Sequence, residues 1–167
     1  MGVAEVNLTQ GYKAIIDDDD AALVSQYKWH ARVIKGRVYA KSQRRINGKR
    51  QRFFMHRLIC GIDLVSGIYV DHKNRDSLDN RKQNLRIATH TENNRNHGKT
   101  RGLSAYKGAC WIKETRRWVS RIRVNNRLLY LGSYKNETDA AMAYDKAARL
   151  YHGDFAAPNF IDVSEWT

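Results

Sequence analysis

Two cysteines in 167 residues exclude more than they offer. No CxxC pair is present, so a structural zinc knuckle has no ligands. Cys60 falls in a predicted helix and Cys110 in a predicted strand of a different unit. That is no disulfide framework, and both thiols are expected reduced. No apolar run approaches the length of a membrane span. The opening MGVAEVNLTQ lacks the basic region and apolar core of a secretory signal, which points to the cytoplasm with no membrane partner. Acidic residues are scarce as well: 17 Asp and Glu stand against 30 Lys and Arg, a formal net charge of +13. Such an excess calls for a polyanionic partner, nucleic acid first and an anionic membrane surface second.

The shortage of acid is most local between Lys28 and Arg57, where eleven Lys or Arg residues occur without one Asp or Glu. Trp29, Tyr39, Phe53 and Phe54 lie among them. Lys35-Gly36 and Asn47-Gly48 sit between β-prone runs and predict tight turns, hence an antiparallel meander with a basic face. An unbalanced cationic ribbon repels itself unless phosphates neutralise it. Arg44, Arg45, Lys49, Arg50 and Arg52 are therefore candidate contacts to a nucleic-acid backbone, which position a protein without reading sequence. Upstream, Val3 to Leu8 and Tyr12 to Ile16 predict a small hairpin across a Gln-Gly turn. The run Asp17 to Asp20 reads as a helix start before Ala-Ala-Leu-Val, with metal binding the weaker alternative.

The chain is organised around VDHKNRDSLDNRKQNLRIATHTENNRN, residues 70 to 96. Tyr69 and Val70 predict a strand end, and neighbouring strand residues point to opposite faces, so Asp71 and His72 serve one site only if the strand stops there. An Asn-, Asp- and charge-rich turn follows, then a short strand at Leu85 and Ile87. Thr89 and Glu92 have capping-box spacing, which predicts a helix carrying Asn93 in its first turns. Asp71 offers a hard divalent cation an anionic oxygen and Asn93 a neutral one. Mg²⁺ suits that pairing, and Mn²⁺ can substitute. A neutral His72 beside the ion can take a proton from an attacking water. This is the chemistry of phosphodiester hydrolysis with one metal ion.

The segment from Asn96 to Ala105 has two glycines and no periodicity and predicts a linker. Both sides of it are basic, with 18 basic and 10 acidic residues over 1–97 against 12 and 7 over 98–167. Beyond it, Lys107 to Lys113, Trp118 to Val124 and Leu128 to Gly132 predict three strands. Asn136 to His152 places Ala140, Ala141, Tyr144, Ala147, Ala148 and Tyr151 along one helical face. Trp118, Ser120, Ile122 and Val124 alternate with Val119, Arg121 and Arg123, so the helix covers the apolar side and leaves the arginines open.

Asp71-His72, Asn84-Leu85-Arg86, Asn93 and an upstream His56-Arg57-Leu58 resemble the HNH endonucleases of the ββα-metal (His-Me finger) class, in the branch of phage-borne homing enzymes. The resemblance implies His72 as general base, Asp71 and Asn93 as metal ligands, and Asn84 as the residue that braces the loop carrying the base. It also implies 5′-phosphate and 3′-hydroxyl products, gene mobility as the role, and the cytoplasm of a bacterial host. His56 either touches phosphate or packs under the hairpin. Residues 106 to 160, with Tyr106-Lys107-Gly108, Trp118, YLGSY at 130–134 and Asn159-Phe160, are similar to the plant APETALA/ethylene-response-factor DNA-binding domain. By that resemblance the sheet lies in the major groove, and Lys107, Arg121, Arg123 and Tyr130 inherit its contacts. Cys110 and Leu128 stand where plant members usually place arginines, and Arg121 replaces a glutamate, so the plant target does not carry over. Trp111 is a DNA contact or a packing residue.

The fold expected is α+β: an N-terminal antiparallel meander plus the ββα-metal motif over 1–97 (core about 69–97), a linker over 98–105, a three-stranded antiparallel sheet on one helix over 106–160, and a tail over 161–167. The function expected is a metal-dependent, site-directed endonuclease acting on double-stranded DNA, with no small-molecule substrate and no structural zinc. One metal site per chain suits nicking by a monomer; a double-strand break needs a second subunit or a second binding event. The alternative is a DNA-binding regulator with an inactive nuclease half. An RNA-directed protein is disfavoured, because a major-groove sheet does not fit the deep A-form groove.

Overall fold

A computed structural model describes residues 2–98 and 102–160. Residues 99–101 of the expected linker and the expected tail at 161–167 lie outside the described residues. The chain divides between Asn93 and Asn94 into two compact units.

In the first unit β1 (Val3–Asn7) and β2 (Lys13–Asp17) form an antiparallel hairpin. Its turn uses Gln10 and Gly11 at φ of 63° and 75°. The acidic run stands at a helix start, as expected, but its side chains cap nothing there. It forms a 3₁₀ turn (Asp18–Asp20) leading into the short α1 (Ala21–Val24), with no side-chain cap bond. The carboxylates reach across the fold instead: Asp17 accepts the Lys82 N–H at 2.8 Å and Asp20 pairs with the Lys82 ammonium at 2.7 Å. The run therefore pins a distant loop.

The meander is present as β3 (His30–Ile34), β4 (Arg37–Ile46) and β5 (Lys49–Phe54), in that order and antiparallel. Its turns place Asn47 at φ 49° and Gly48 at 75°, the left-handed pair that a two-residue hairpin demands and that Asn-Gly accepts at least cost. The buried face packs Trp29, Ala40 and Phe53 with Ala14, Ile16, Val24 and Met55. Tyr27, Trp29 and Phe53 meet edge to face, at centroid distances from 5.0 to 6.1 Å. Full burial of each such side chain contributes roughly 1.5–3 kcal/mol.

After β5 comes α2 (Met55–Ile59), then β6 (Tyr69–His72), β7 (Leu85–Ala88) and α3 (His90–Arg95). β6 and β7 pair antiparallel, with Asp71 opposite Arg86 and His72 opposite Leu85. The capping box is formed: Glu92 donates its N–H to Thr89 Oγ1 at 3.2 Å, and Glu92 Oε2 accepts the Thr89 N–H at 2.8 Å.

In the second unit β8 (Ala109–Ile112), β9 (Arg117–Val124) and β10 (Arg127–Tyr134) form a sheet with β9 in the middle. Helix α4 (Glu137–His152) buries Ala140, Ala141, Tyr144, Ala147 and Ala148 against it. Tyr151, expected on the same face, is exposed. The last turn is seated by His152, whose Nε2 lies 3.1 Å from the Arg123 carbonyl. Gly108 explains the tight fit: it sits at φ 82°, and a Cβ there would fall 2.0 Å from the Tyr144 ring. Buried Asp145 accepts the N–H groups of Asn159 and Phe160 at 2.8 and 2.9 Å. Asn159 in turn bonds both backbone groups of Lys107, so the end of the unit is tied to its beginning.

Candidate active site

Strand β6 ends at His72, the geometry that lets adjacent Asp71 and His72 act together. Both are buried, at 5% and 7% exposure. Beyond them residues 73–84 are a pinned plate rather than a loose turn. Asn80 donates to the Ile15 carbonyl at 2.7 Å and Ile15 to the Leu78 carbonyl at 2.8 Å, a parallel bridge to β2. Ser77 Oγ donates to the Val38 carbonyl at 2.6 Å. Asn84 binds the plate from within: its amide donates to the Asp79 carbonyl at 2.7 Å and its Oδ1 accepts the Asn74 N–H at 2.9 Å.

His72 Nε2 lies 3.4 Å from Asn80 Oδ1, and Asn80 is only 1% exposed. Burial pushes the His72 imidazole below its ordinary value, against the Asn80 contact and the charges of Asp71, Asp76 and Asp79, which favour the cation. The ring is thus held neutral near pH 7, as a base must be. Its other neighbours are rings: His56 at 5.0 Å and Tyr39 at 6.4 Å. His56 is buried and stacked on Phe54 at 5.5 Å. The structure thereby gives this histidine a packing position beneath His72. Its partner in the His-Arg-Leu string, Arg57, donates to the carbonyls of Ile62, Val65 and Ile68 and closes the loop before β6.

Asp71 is engaged by Arg86, whose Nε donates to Oδ2 at 2.8 Å. Asn93 is half-buried in α3, its N–H on the Thr89 carbonyl at 3.0 Å. Among the described residues no group of three or more His, Cys, Asp or Glu could hold a metal. Asp71 and Asn93 are oxygen donors only, one anionic and one neutral. That set fits a hard divalent ion that keeps its remaining positions for water and phosphate.

The expected backbone contacts divide by face. Register places Arg45 opposite Arg50 and Gln43 opposite Arg52, on the side of Lys41 and Tyr39. Arg44 and Lys49 lie on the other face, paired with Gln51 and Ile46. Arg44 does not stand ready for phosphate: its guanidinium pairs with Asp63 and covers the Phe53 ring at 4.9 Å. In the second unit Arg121 and Tyr130 are directly paired, and both are exposed along with Arg123. Lys107 precedes β8, and its ammonium donates to the carbonyls of Arg95 and His97 at 2.7 and 2.6 Å. Trp111 pairs with Trp118 at 5.2 Å on the helix side of the sheet, which gives it a packing position. A cavity of about 610 Å³ lies between β1 and α1, with Leu8, Ile16, Val24 and Trp29 in its wall; it contains none of the candidate site residues.

Asn80, Arg86 and Tyr39 are neighbours of the site to which sequence reasoning gave no role there. Only Arg86 had a usable signal, since pairing Val70 with Ile87 in the hairpin puts Arg86 opposite Asp71.

Two short antiparallel strands and a capped helix around an Asp-His pair define a ββα nuclease core. A family model described as HNH endonuclease matches residues 54–95. Over 157 residues the chain is 32% identical to an uncharacterized HNH endonuclease of Acanthamoeba polyphaga mimivirus, an alignment that covers 92% of this chain and 78% of that protein. The chain belongs to the HNH endonuclease family, and the activity that membership supports is that of a nuclease. A 71-residue stretch is 45% identical to an ethylene-responsive transcription factor of Arabidopsis thaliana and, equally, to an AP2-like ethylene-responsive transcription factor of the same plant. Those alignments cover 41% of this chain but only 16% and 20% of the plant proteins.

Proposed function

We propose that the chain is a metal-dependent, site-directed DNA endonuclease of the homing type that nicks one strand per monomer. Residues 1–97 carry the chemistry and residues 106–160 hold the duplex, inside a phage-infected or phage-carrying bacterial cell. The observation that supports this most is the buried, neutral His72 at the end of β6 with Asp71 beside it. With Nε2–H donating to Asn80, Nδ1 is the basic nitrogen. It takes a proton as water attacks the phosphorus, and the bond to the 3′-oxygen breaks; that oxygen leaves as an alkoxide and takes a proton from solvent water, giving 3′-hydroxyl and 5′-phosphate ends. Asp71 and Asn93 would hold a divalent ion, Mg²⁺ or Mn²⁺, which would supply Lewis acidity at the phosphate and the leaving oxygen. Arg86 orients the Asp71 carboxylate, and Asn84 keeps the plate that carries His72 in place.

Supercoiled plasmid carrying random inserts and genomic fragments from the source tests the reading, with Mg²⁺, Mn²⁺ or chelator, for wild type and His72→Ala. Open-circle product that requires both metal and His72 is expected, with at least a hundredfold loss in the variant and duplex affinity nearly unchanged. Normal nicking by His72→Ala would sink the assignment. Tight duplex binding without any cleavage would favour a DNA-binding regulator.

A further inference from the structure

The outer face of the meander carries more cation than the expected backbone contacts account for. Register sets Arg32 beside Tyr39, Lys41 beside both His30 and Phe54, and Arg52 beside Gln43. Directly paired residues share a face, and diagonal ones lie within reach of long side chains. Arg32, Lys41 and Arg52 therefore stand on one diagonal across three strands. His30 and Gln43 complete the wall of a shallow pocket around Lys41. None of the three cations forms an ion pair among the described residues; the acids of this unit that do so pair with Lys13, Arg44, Arg81, Lys82 and Arg86. Burial first, then the charges of Arg52 and Arg32, press the Lys41 ammonium below its ordinary value. A merely solvated face gains nothing by converging three like charges on one pocket.

We propose that Arg32, Lys41 and Arg52 form a phosphate cradle that holds a backbone phosphate of the duplex beside the one being cut, an inference that rests on the DNA-endonuclease reading. Two guanidiniums supply paired donors and the ammonium a point charge, a set suited to a tetrahedral anion. The position follows from β4. Tyr39, two residues before Lys41 on the same face, meets His56 at 5.9 Å and His72 at 6.4 Å. Two strand residues advance about 6.6–6.8 Å, so the cradle adjoins the base. Arg45 and Arg50, paired toward the tip, continue the row away from the site.

The test uses the full chain with His72→Ala, so that binding is measured without cleavage, and a duplex of random sequence titrated with KCl by fluorescence anisotropy. Lys41→Gln should lower the slope of log affinity against log salt by part of the roughly 0.9 that one phosphate contact is worth, because Arg32 and Arg52 still reach that phosphate. Lys41→Arg should restore it. Arg32→Gln, Lys41→Gln and Arg52→Gln combined should lose no more than that same ~0.9, because all three serve one phosphate. Lys13→Gln removes an equal charge from the first hairpin and should leave the slope unchanged. Parental slopes in the cradle variants, or losses that add toward about 2.7, overturn the cradle while leaving the nuclease reading intact. A parent protein whose duplex binding ignores salt overturns the DNA reading and the cradle with it.

Discussion

At the scale of single residues, the centre of the molecule is a pair of imidazoles that burial keeps neutral. His56 is held well below its ordinary value by burial, then by the charges of His72 and Arg57. An unfolded histidine takes up its proton below about pH 6.5, whereas folded His56 does not until well below that. The unfolded chain then binds more protons, so stability must fall as pH drops through 6.5 toward 5, by up to ~1.4 kcal/mol per pH unit for each such group. His56→Phe keeps a ring on Phe54 and removes one of these protons. Urea unfolding of the variant between pH 5 and 7 should give a shallower stability–pH slope than wild type, with the remainder owed to His72 and His152, which burial also depresses. Parallel slopes would mean that His56 takes up its proton over the same pH range in the folded protein as in the unfolded chain. The closest polar partner of His72 was illegible in sequence for a physical reason. Asn80 reaches His72 because its backbone is bonded to Ile15, 65 residues earlier, and no local pattern encodes such a contact. Arg44 was misplaced likewise: its partner Asp63 lies 19 residues on, beyond any strand or helix rule.

At the scale of elements the sequence was far more readable, because the governing signals are local. Lys35-Gly36 and Asn47-Gly48 both adopt positive φ and fix the meander. Thr89 and Glu92 form the reciprocal bonds that their spacing predicts. The alternation along β9 came out as read, with Ile122 buried and Arg121 and Arg123 exposed. What failed were the ends: Lys107 falls before its strand and Tyr151 turns outward, while the Asp17–Asp20 run leads into its helix as read but without a side-chain cap. Gly108 shows how one position governs a whole element. A side chain there meets both a positive φ and the Tyr144 ring. Gly108→Ala should cost about 1 kcal/mol for the backbone and about 1–3 kcal/mol more for overpacking. The second unit should melt at lower temperature, read by the near-ultraviolet signal of Trp111 and Trp118, while the first unit keeps its transition. An unshifted melt would mean that α4 can lift from the sheet at no cost.

At the scale of the whole molecule the charge is divided, and the two shares have different work. Residues 1–97 carry a net +8 (18 − 10) and residues 98–167 a net +5 (12 − 7). In the first unit the cations of the proposed cradle lie on a ribbon beside aromatic rings, a surface suited to phosphate more than to base edges. In the second, Arg121 stands beside Tyr130 on an exposed strand face, where a guanidinium can reach a guanine edge bidentately. Loss of a base-reading arginine should cost about 1–3 kcal/mol at one base pair and little elsewhere. Arg121→Ala should therefore lower the preference for the cleaved site over random duplex by roughly 5- to 150-fold, with metal-dependent nicking of the preferred site still detectable. Arg52→Gln should weaken both duplexes alike. Competition binding of the two variants against preferred and random duplex, at one salt concentration, separates these roles. Equal losses on both duplexes for Arg121→Ala would make it one more phosphate contact and move the reading of sequence to another residue of that face.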